Sequence, residues 1–284
     1  MATEGGHSSE YNPAVRSKLL AEAARVVRGF SFAGAHVIIV GGLVPSLLIP
    51  EPEPGLEPHI GTQDLDLCLR VALVDGEVGN YDRLEKCLKD AGFKMLGNAS
   101  WRWQGGIALP LTVEFFCPPS NEREPGKLYR PGGVVGGRLS AMVLATGGLI
   151  DRDFREIEVD VTLPGQGGKT HQTLKVAGPS AYLAAKADAL RGRNKNKDAY
   201  DIIWLTESWP GGQAALAVVI RESSIFHDPV FQACLRALEQ EFADIDSEGA
   251  RKYARFMMGP GMNADQLARH AVGAIKFLLD ELKA

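Results

Sequence analysis

The hydrophobic positions of this chain change period near residue 178. Before it, helical and alternating stretches are interspersed; after it, only helical spacing remains. Val15, Leu19, Leu20, Ala23, Val26 and Val27 recur at helical spacing. Asn12-Pro13 just ahead offers a capping residue and a proline at the first helical position. The run HVIIV (36–40) is short and continuously apolar, which predicts a buried strand. Gly41-Gly42 ends it, and Leu43 to Leu48 predict the first turns of a helix.

A proline- and acid-rich loop over 49–61 leads into TQDLDLCLRV, a predicted strand whose Leu65, Leu67 and Leu69 point into a core. Tyr81 to Ala91 predicts an amphipathic helix closed by Gly92 in a left-handed cap. Phe93–Leu96 and Ile107–Phe116 read as strands joined by a hairpin over Gly105-Gly106. A long loop with Pro118, Pro119, Pro125 and Pro131 follows. Residues 157–163 (IEVDVTL) alternate cleanly, and Thr173–Val176 is their expected partner. From Pro179 onward, 180–190, 198–206, 213–222, 229–242, 248–257 and 264–283 all predict helices. The expected organisation is a polar, disordered tail over 1–11, an α/β domain over 12–178 and a helical domain over 179–284.

Bulk properties narrow the partners. With 284 residues, 45% hydrophobic and 23% charged, the chain has material for a real core. A net charge of -4 gives no global nucleic-acid footprint, so any polyanion contact is local. Cys68, Cys87, Cys117 and Cys234 are widely spaced, which argues against zinc and a disulfide framework and fits a reducing cytosol. No stretch approaches the ~20 apolar residues that span a bilayer. A cytoplasmic protein without a membrane partner is expected.

Four features carry candidate chemistry. Glycines after a buried strand, in VIIVGGLVPSLL, let backbone N–H groups approach a phosphate. A plain tight turn is the alternative, and Ser46 one turn on donates to phosphate or caps locally. On the second strand Asp64 and Asp66 share one face, about 6.5 Å apart along the chain. Two such charges repel unless water bathes the face or a cation lies between them. In LTVEFF, Glu114 is an acid among apolar residues and needs a partner. It is a third carboxylate or a solvated edge residue; Asp160 is its rival and fits a solvated face better. Finally AAKADALRGRNKNKDAYD places Lys186 among alanines, then Arg191, Arg193, Lys195 and Lys197, then Asp198 and Asp201 in the first turn of a helix. A solvated turn is the plain reading, yet this is the densest basic patch in an acidic chain. Carboxylates, a glycine turn and a basic patch together form an inventory for phosphoryl or nucleotidyl transfer.

GG opening a helix, followed by T-x-D-x-D on a strand, resembles the signature of the polymerase-β-type nucleotidyltransferase superfamily. KADALRGRNKNKDAYDI resembles the second signature of its AbiEii/AbiGii-type toxin branch, found in toxin–antitoxin and phage-defence systems. The resemblance covers about residues 35–205. It implies a nucleotidyltransferase-type mixed β-sheet core with flanking helices, followed by a C-terminal helical bundle. It further implies a two-metal-ion enzyme using Mg²⁺ or Mn²⁺ to move a nucleoside monophosphate from an NTP to a hydroxyl, on an RNA end such as tRNA or on a protein. A cognate antitoxin is the implied partner. By the same resemblance Gly41, Gly42, Ser46 and Thr62 cradle the nucleotide, and Asp64, Asp66 and Glu114 hold metal. Lys186 grips the triphosphate as a catalytic residue, and Asp198 with a neighbouring cation (Arg191, Arg193 or Lys197) completes the site from the helical side. Two positions depart from the pattern: Gly42 stands where many relatives carry serine, and the 49–61 loop lengthens the gap to Asp64, as a lid or an insertion. A non-catalytic binding module with the same fold, and an antibiotic-type small-molecule nucleotidyltransferase, are the alternative readings.

Overall fold

The computed structural model describes Ser8 and residues 15–32, 34, 36–62, 64–69, 79–130 and 139–284. The expected tail over 1–11, Ser8 apart, the Asn12-Pro13 helix start and Pro131 lie outside them. Two compact units divide these residues: Ala14–Val44 with Gly61–Ala177, and Pro45–Ile60 with Gly178–Ala284.

In the first unit, helix α1 (Arg16–Phe32) buries Leu19, Ala23, Val26, Val27 and Phe30, the face its helical spacing predicts. Strand β1 (Val37–Val40) is buried on both faces. Strand β2 (Asp64–Leu69) alternates as expected, with Leu65, Leu67 and Leu69 fully buried. Helix α3 (Gly79–Asp90) buries Leu84 and Leu88 and ends at Gly92, whose φ of 83° is the left-handed cap.

One departure matters for the site. Residues 99–105 (ASWRWQG) form a strand, β4, between β3 (Lys94–Leu96) and β5 (Leu111–Cys117). Phe93–Leu96 therefore does not pair with 107–116; β3 pairs with β4, and β4 with β5. Ile107 is exposed, and the chain turns over 106–110 rather than running on as strand. Buried Glu22 explains the turn. Its carboxylate accepts the N–H groups of Ile107 and Ala108 while pairing with Arg25 at 2.8 Å, so α1 satisfies backbone donors that a strand partner otherwise takes.

The remaining elements are two short strands, β6 (Leu128–Tyr129) and β7 (Ala141–Val143), a one-turn helix α4 (Gly147–Ile150), and the long hairpin of β8 (Phe154–Thr162) and β9 (Lys169–Ala177). The strand order is β3-β4-β5-β2-β1-β9-β8, with β7 beside β5 and β6 beside β7. The sheet is mixed: β2–β5, β1–β9 and β5–β7 are parallel, and its other pairs antiparallel. On one face Leu65, Leu67, Val113, Phe115 and Trp103 form the core, with Phe115 against Phe30 of α1 at 5.8 Å between ring centres.

The second unit is helical. It comprises α5 (Pro179–Gly192), α6 (Lys197–Ser208), α7 (Gly212–Arg221), α8 (Pro229–Glu241), α9 (Glu248–Met257) and α10 (Ala264–Lys283), matching the six expected helices within two residues at either end. Phe231, Leu238 and Phe242 are core residues, as their spacing implies. The proline-rich segment belongs to this unit and is anchored to it. Trp204 Nε1 donates to the Glu57 carbonyl at 3.0 Å, the Ile60 N–H donates to the Tyr200 hydroxyl at 3.1 Å, and the Gly211 N–H donates to Glu53 at 3.1 Å. Among the described residues no helix is long and apolar enough to cross a membrane.

Candidate active site

Strand register assembles the acids. Asp66 is the direct partner of Val40 on β1 and of Glu114 on β5, and Glu114 in turn faces Arg102 on β4. Val40, Asp66, Glu114 and Arg102 thus form one rung across four strands, and directly paired residues point to the same face. Asp64 lies two residues back on that face, opposite Thr112. The leucines and Phe115 alternate to the other face, so the pleat that buries the core also places three carboxylates together on the opposite side. Asp64 and Asp66 are half-buried and Glu114 is buried. Asp160 is not part of this group. It lies on the β8–β9 hairpin, 87% exposed and paired with His171, which fits the solvated-face reading.

The glycine turn fits closely against this face. Gly41 has φ 70°, which only glycine adopts without strain, and a Cβ built there would overlap the Asp66 carboxylate. The turn continues as a single 3₁₀ turn, Gly41–Leu43, into the five-residue helix α2 (Val44–Leu48). So short a helix carries little dipole. Any phosphate contact here rests on the backbone N–H groups of the turn. Thr62 is buried and its hydroxyl accepts the Asp64 N–H at 3.3 Å, which fixes the entry of β2. Gly42 is buried beside Gly41. Ser46, in the helical unit, is buried as well.

Glu114 is paired with Arg102 on its β4 side. Its Oε1 lies 2.7 Å from Arg102 Nη2, and the Arg102 guanidinium stacks over Trp101 at 5.2 Å, with Trp101 edge-on to Phe116. Among the described residues no three His, Cys, Asp or Glu side chains converge at metal-holding distance. Carboxylate oxygen is the donor a hard divalent cation takes, and Asp64 and Asp66 offer it from one face; the space that a Cβ on Gly41 would take is filled by the Asp66 carboxylate.

The helical unit joins Lys186, Arg193, Lys197 and Asp198, with Asp201, in an ion network that, among the described residues, does not include Arg191. Lys186 Nζ lies 2.8 Å from Asp198 Oδ1 and 2.6 Å from Asp201 Oδ2. Lys197, four residues before Asp201 on α6, also pairs with it. Arg193 holds Asp198 through Nε at 2.8 Å and Nη2 at 2.9 Å. Arg191 and Arg193 are exposed, whereas Lys186, Lys197, Asp198 and Asp201 are buried. Burial works against every charge here, and mutual pairing decides the outcome. Desolvation would raise the Asp198 carboxyl, but Lys186 and Arg193 hold it down at about 2. Asp201 is likewise held well below the carboxylate range by Lys186 and Lys197 against the cost of burial. Burial would lower Lys186, but Asp198 and Asp201 raise it. Lys197 goes the other way, to about 8, because burial and the nearby Lys186 outweigh Asp201.

His59 joins the network from the proline-rich segment. It is buried, edge-on to Trp204 at 4.9 Å, with Nε2 at 3.0 Å from Asp201 Oδ1. Burial and then Lys197 lower its pKa to about 4, so at neutral pH it is an uncharged donor to Asp201. No spacing signal marks it, because its partner lies 142 positions away in the chain.

No protein-family model matches the chain, and no curated protein matches it. Among solved structures it is similar to JHP933 from Helicobacter pylori, with 10% identity over 96% of this chain and 95% of that one and a TM-score of 0.41. It is also similar to a "putative nucleotidyltransferase" from H. pylori, with 12% identity over 94% of this chain and 96% of that one and a TM-score of 0.39. Likenesses of this strength say nothing about chemistry, which rests on the residues themselves.

Proposed function

We propose that this protein is a metal-dependent nucleotidyltransferase that moves a nucleoside monophosphate from an NTP to a hydroxyl acceptor. The observation that carries the reading is the rung joining Asp66 to Glu114, with Asp64 on the same face and the Gly41 turn fitted against Asp66. Asp64 and Asp66 are assigned as ligands of Mg²⁺ or Mn²⁺, with Glu114 as the third carboxylate. An ion held there would supply positive charge to neutralise the triphosphate and the leaving pyrophosphate. The chain's own residues do the rest. Backbone N–H groups of Gly41 and Gly42 orient phosphate oxygens, and Thr62 fixes the approach of Asp64. A carboxylate of the face accepts the proton of the attacking hydroxyl as the new oxygen–phosphorus bond forms. Lys186, Arg191, Arg193, Lys197 and Asp198 enter this reading through the resemblance of their segment to the AbiEii/AbiGii-type signature, and Ser46 through that of the glycine turn. The same resemblance supports an RNA end or a protein as acceptor and a toxin with a cognate antitoxin.

A second reading, a binding module that keeps the architecture without catalysis, is favoured by Glu114 being engaged with Arg102 rather than converging with the aspartates. Calorimetric titration with each NTP in the presence of Mg²⁺ separates the two. The enzyme reading expects binding that disappears without metal and in Asp66→Asn; binding indifferent to both rejects it.

A further inference from the structure

Strand β8 is an outer edge of the sheet. Among the described residues it pairs with β9 alone, from Phe154 opposite Ala177 to Thr162 opposite Lys169. In such a strand the N–H and C=O groups of alternate residues point away from the partner and are available to a further strand. At 9 residues it is long for an open edge, since strands commonly run to about five or six.

The two faces of this edge differ. Glu156, Glu158 and Asp160 alternate along one face, with side chains 58%, 57% and 87% accessible. Among the described residues their ion-pair partners are Lys175 and His171. Lys175 Nζ lies 3.5 Å from Glu156, and His171 reaches Glu158 through Nε2 at 3.0 Å and Asp160 through Nδ1 at 2.9 Å. Three carboxylates thus share two basic groups, which leaves the face acidic. Ile157 and Val161, half-buried, and Val159, buried, take the other face, where Arg28 of α1 meets Thr170. Beside Asp160 a depression of about 600 Å³, lined also by Thr162, Lys169 and His171, gives an incoming long side chain room to settle.

We propose that the β8 edge docks an extended segment of another protein in which basic and apolar residues alternate, and adds it to the sheet as a further strand. Directly opposite residues of paired strands share a face. The basic set therefore meets Glu156, Glu158 and Asp160, while the apolar set continues the surface of Ile157, Val159 and Val161. Backbone hydrogen bonds hold the segment, and the side-chain pattern selects it. A second copy of this chain fits poorly. Laid along β8 in either direction, its acids stand opposite acids or opposite the apolar set, and both arrangements are unfavourable. A polyanion such as RNA meets the wrong sign of charge. The edge lies three places from β2 in the strand order, so docking here leaves Asp64 and Asp66 untouched.

The test uses the intact chain and a fluorescent synthetic peptide that alternates lysine and valine over about nine residues. Binding is followed by anisotropy, and hydrogen exchange is read along the chain. Saturable binding is expected, with exchange slowed in 154–162, and with affinity about tenfold weaker in the combined variant Glu156→Gln, Glu158→Gln and Asp160→Asn. The same peptide with proline in place of one inner valine keeps its charge but loses a strand donor, and is expected not to bind. Equal binding of the two peptides overturns strand addition, and equal binding to parent and variant overturns the charge selection. Absence of binding at millimolar peptide overturns the proposal. So does tighter binding of a glutamate–valine peptide or of single-stranded oligoadenylate, or a dimer of the parent chain that itself slows exchange in 154–162. If circular dichroism shows the combined variant unfolded, Asp160→Asn alone is expected to weaken binding about threefold, and unchanged affinity there rejects the idea.

Discussion

Gly41 and Asp66 are fitted so closely that a single methyl group on Gly41 would occupy the place of the Asp66 carboxylate. Gly92 has a similar backbone, φ 83° against 70°, but open space around it. The two glycines therefore separate conformational strain from steric displacement. Gly92→Ala is expected to cost about 1–2 kcal/mol, the strain of a left-handed alanine. Gly41→Ala pays the same strain and must also move Asp66, so it is expected to lower stability further and abolish metal-dependent NTP binding. Urea unfolding and calorimetry check the pair; equal behaviour of the two variants contradicts the assignment.

The Lys186 network predicts a contribution to stability. Lys186→Met leaves Asp198 and Asp201 buried with one cation fewer. Breaking a buried pair on one side costs about 3–5 kcal/mol. Chemical denaturation is expected to show a loss of that size, and a loss below about 1 kcal/mol contradicts the network's role.

His59 gives the helical unit a pH dependence with a definite sign. Its pKa falls from 6.5 in the unfolded chain to about 4 in the folded one. Between these values the unfolded state binds more protons, so stability drops as pH falls from 6.5 towards 4. Asp198, depressed from 3.8 to about 2, continues the decline through that lower window. His59→Asn keeps a polar side chain for Asp201 without titrating, and is expected to flatten the slope between pH 6.5 and 4 only. A slope unchanged in the variant places its origin elsewhere.

Glu22 ties α1 to the turn between β4 and β5. Glu22→Ala removes the acceptor of two backbone donors and the carboxylate partner of Arg25, for an expected loss of about 3 kcal/mol. Hydrogen exchange at Ile107 and Ala108 is expected to speed up selectively; uniform protection across the turn contradicts the link.

How much of this was legible beforehand depended on range. The clean alternation of β2 and the helical spacing of α1 and α5 to α10 are local signals, and the structure follows them. Strand β4 was not read, because its mixture of Ser, Trp, Arg and Gln shows neither clean alternation nor an apolar run, and Arg102 stayed invisible with it. Ile107 has the β-propensity of a strand residue, yet Glu22, 85 positions away, claims its N–H for a turn. Asp64, Asp66 and Glu114 can be named but not placed from sequence, since their sharing of one face across β2 and β5 is a matter of strand register. The proline-rich 49–61 loop gave no hint of anchoring, because His59 finds Asp201 only through tertiary structure. Strands of two or three residues such as β6 and β7 fall below any periodic signal.

The central claim is that the acid face transfers nucleotides, and the most direct measurement is acceptor labelling. Purified protein is incubated with Mn²⁺, total RNA and each NTP radiolabelled at its α-phosphate, in parallel with Asp64→Asn and Asp66→Asn variants shown by circular dichroism to be folded. Label appearing on RNA or on protein with the parent, and absent with both variants, is the predicted result. Label that persists undiminished in the variants, or that appears with none of the four nucleotides, contradicts it.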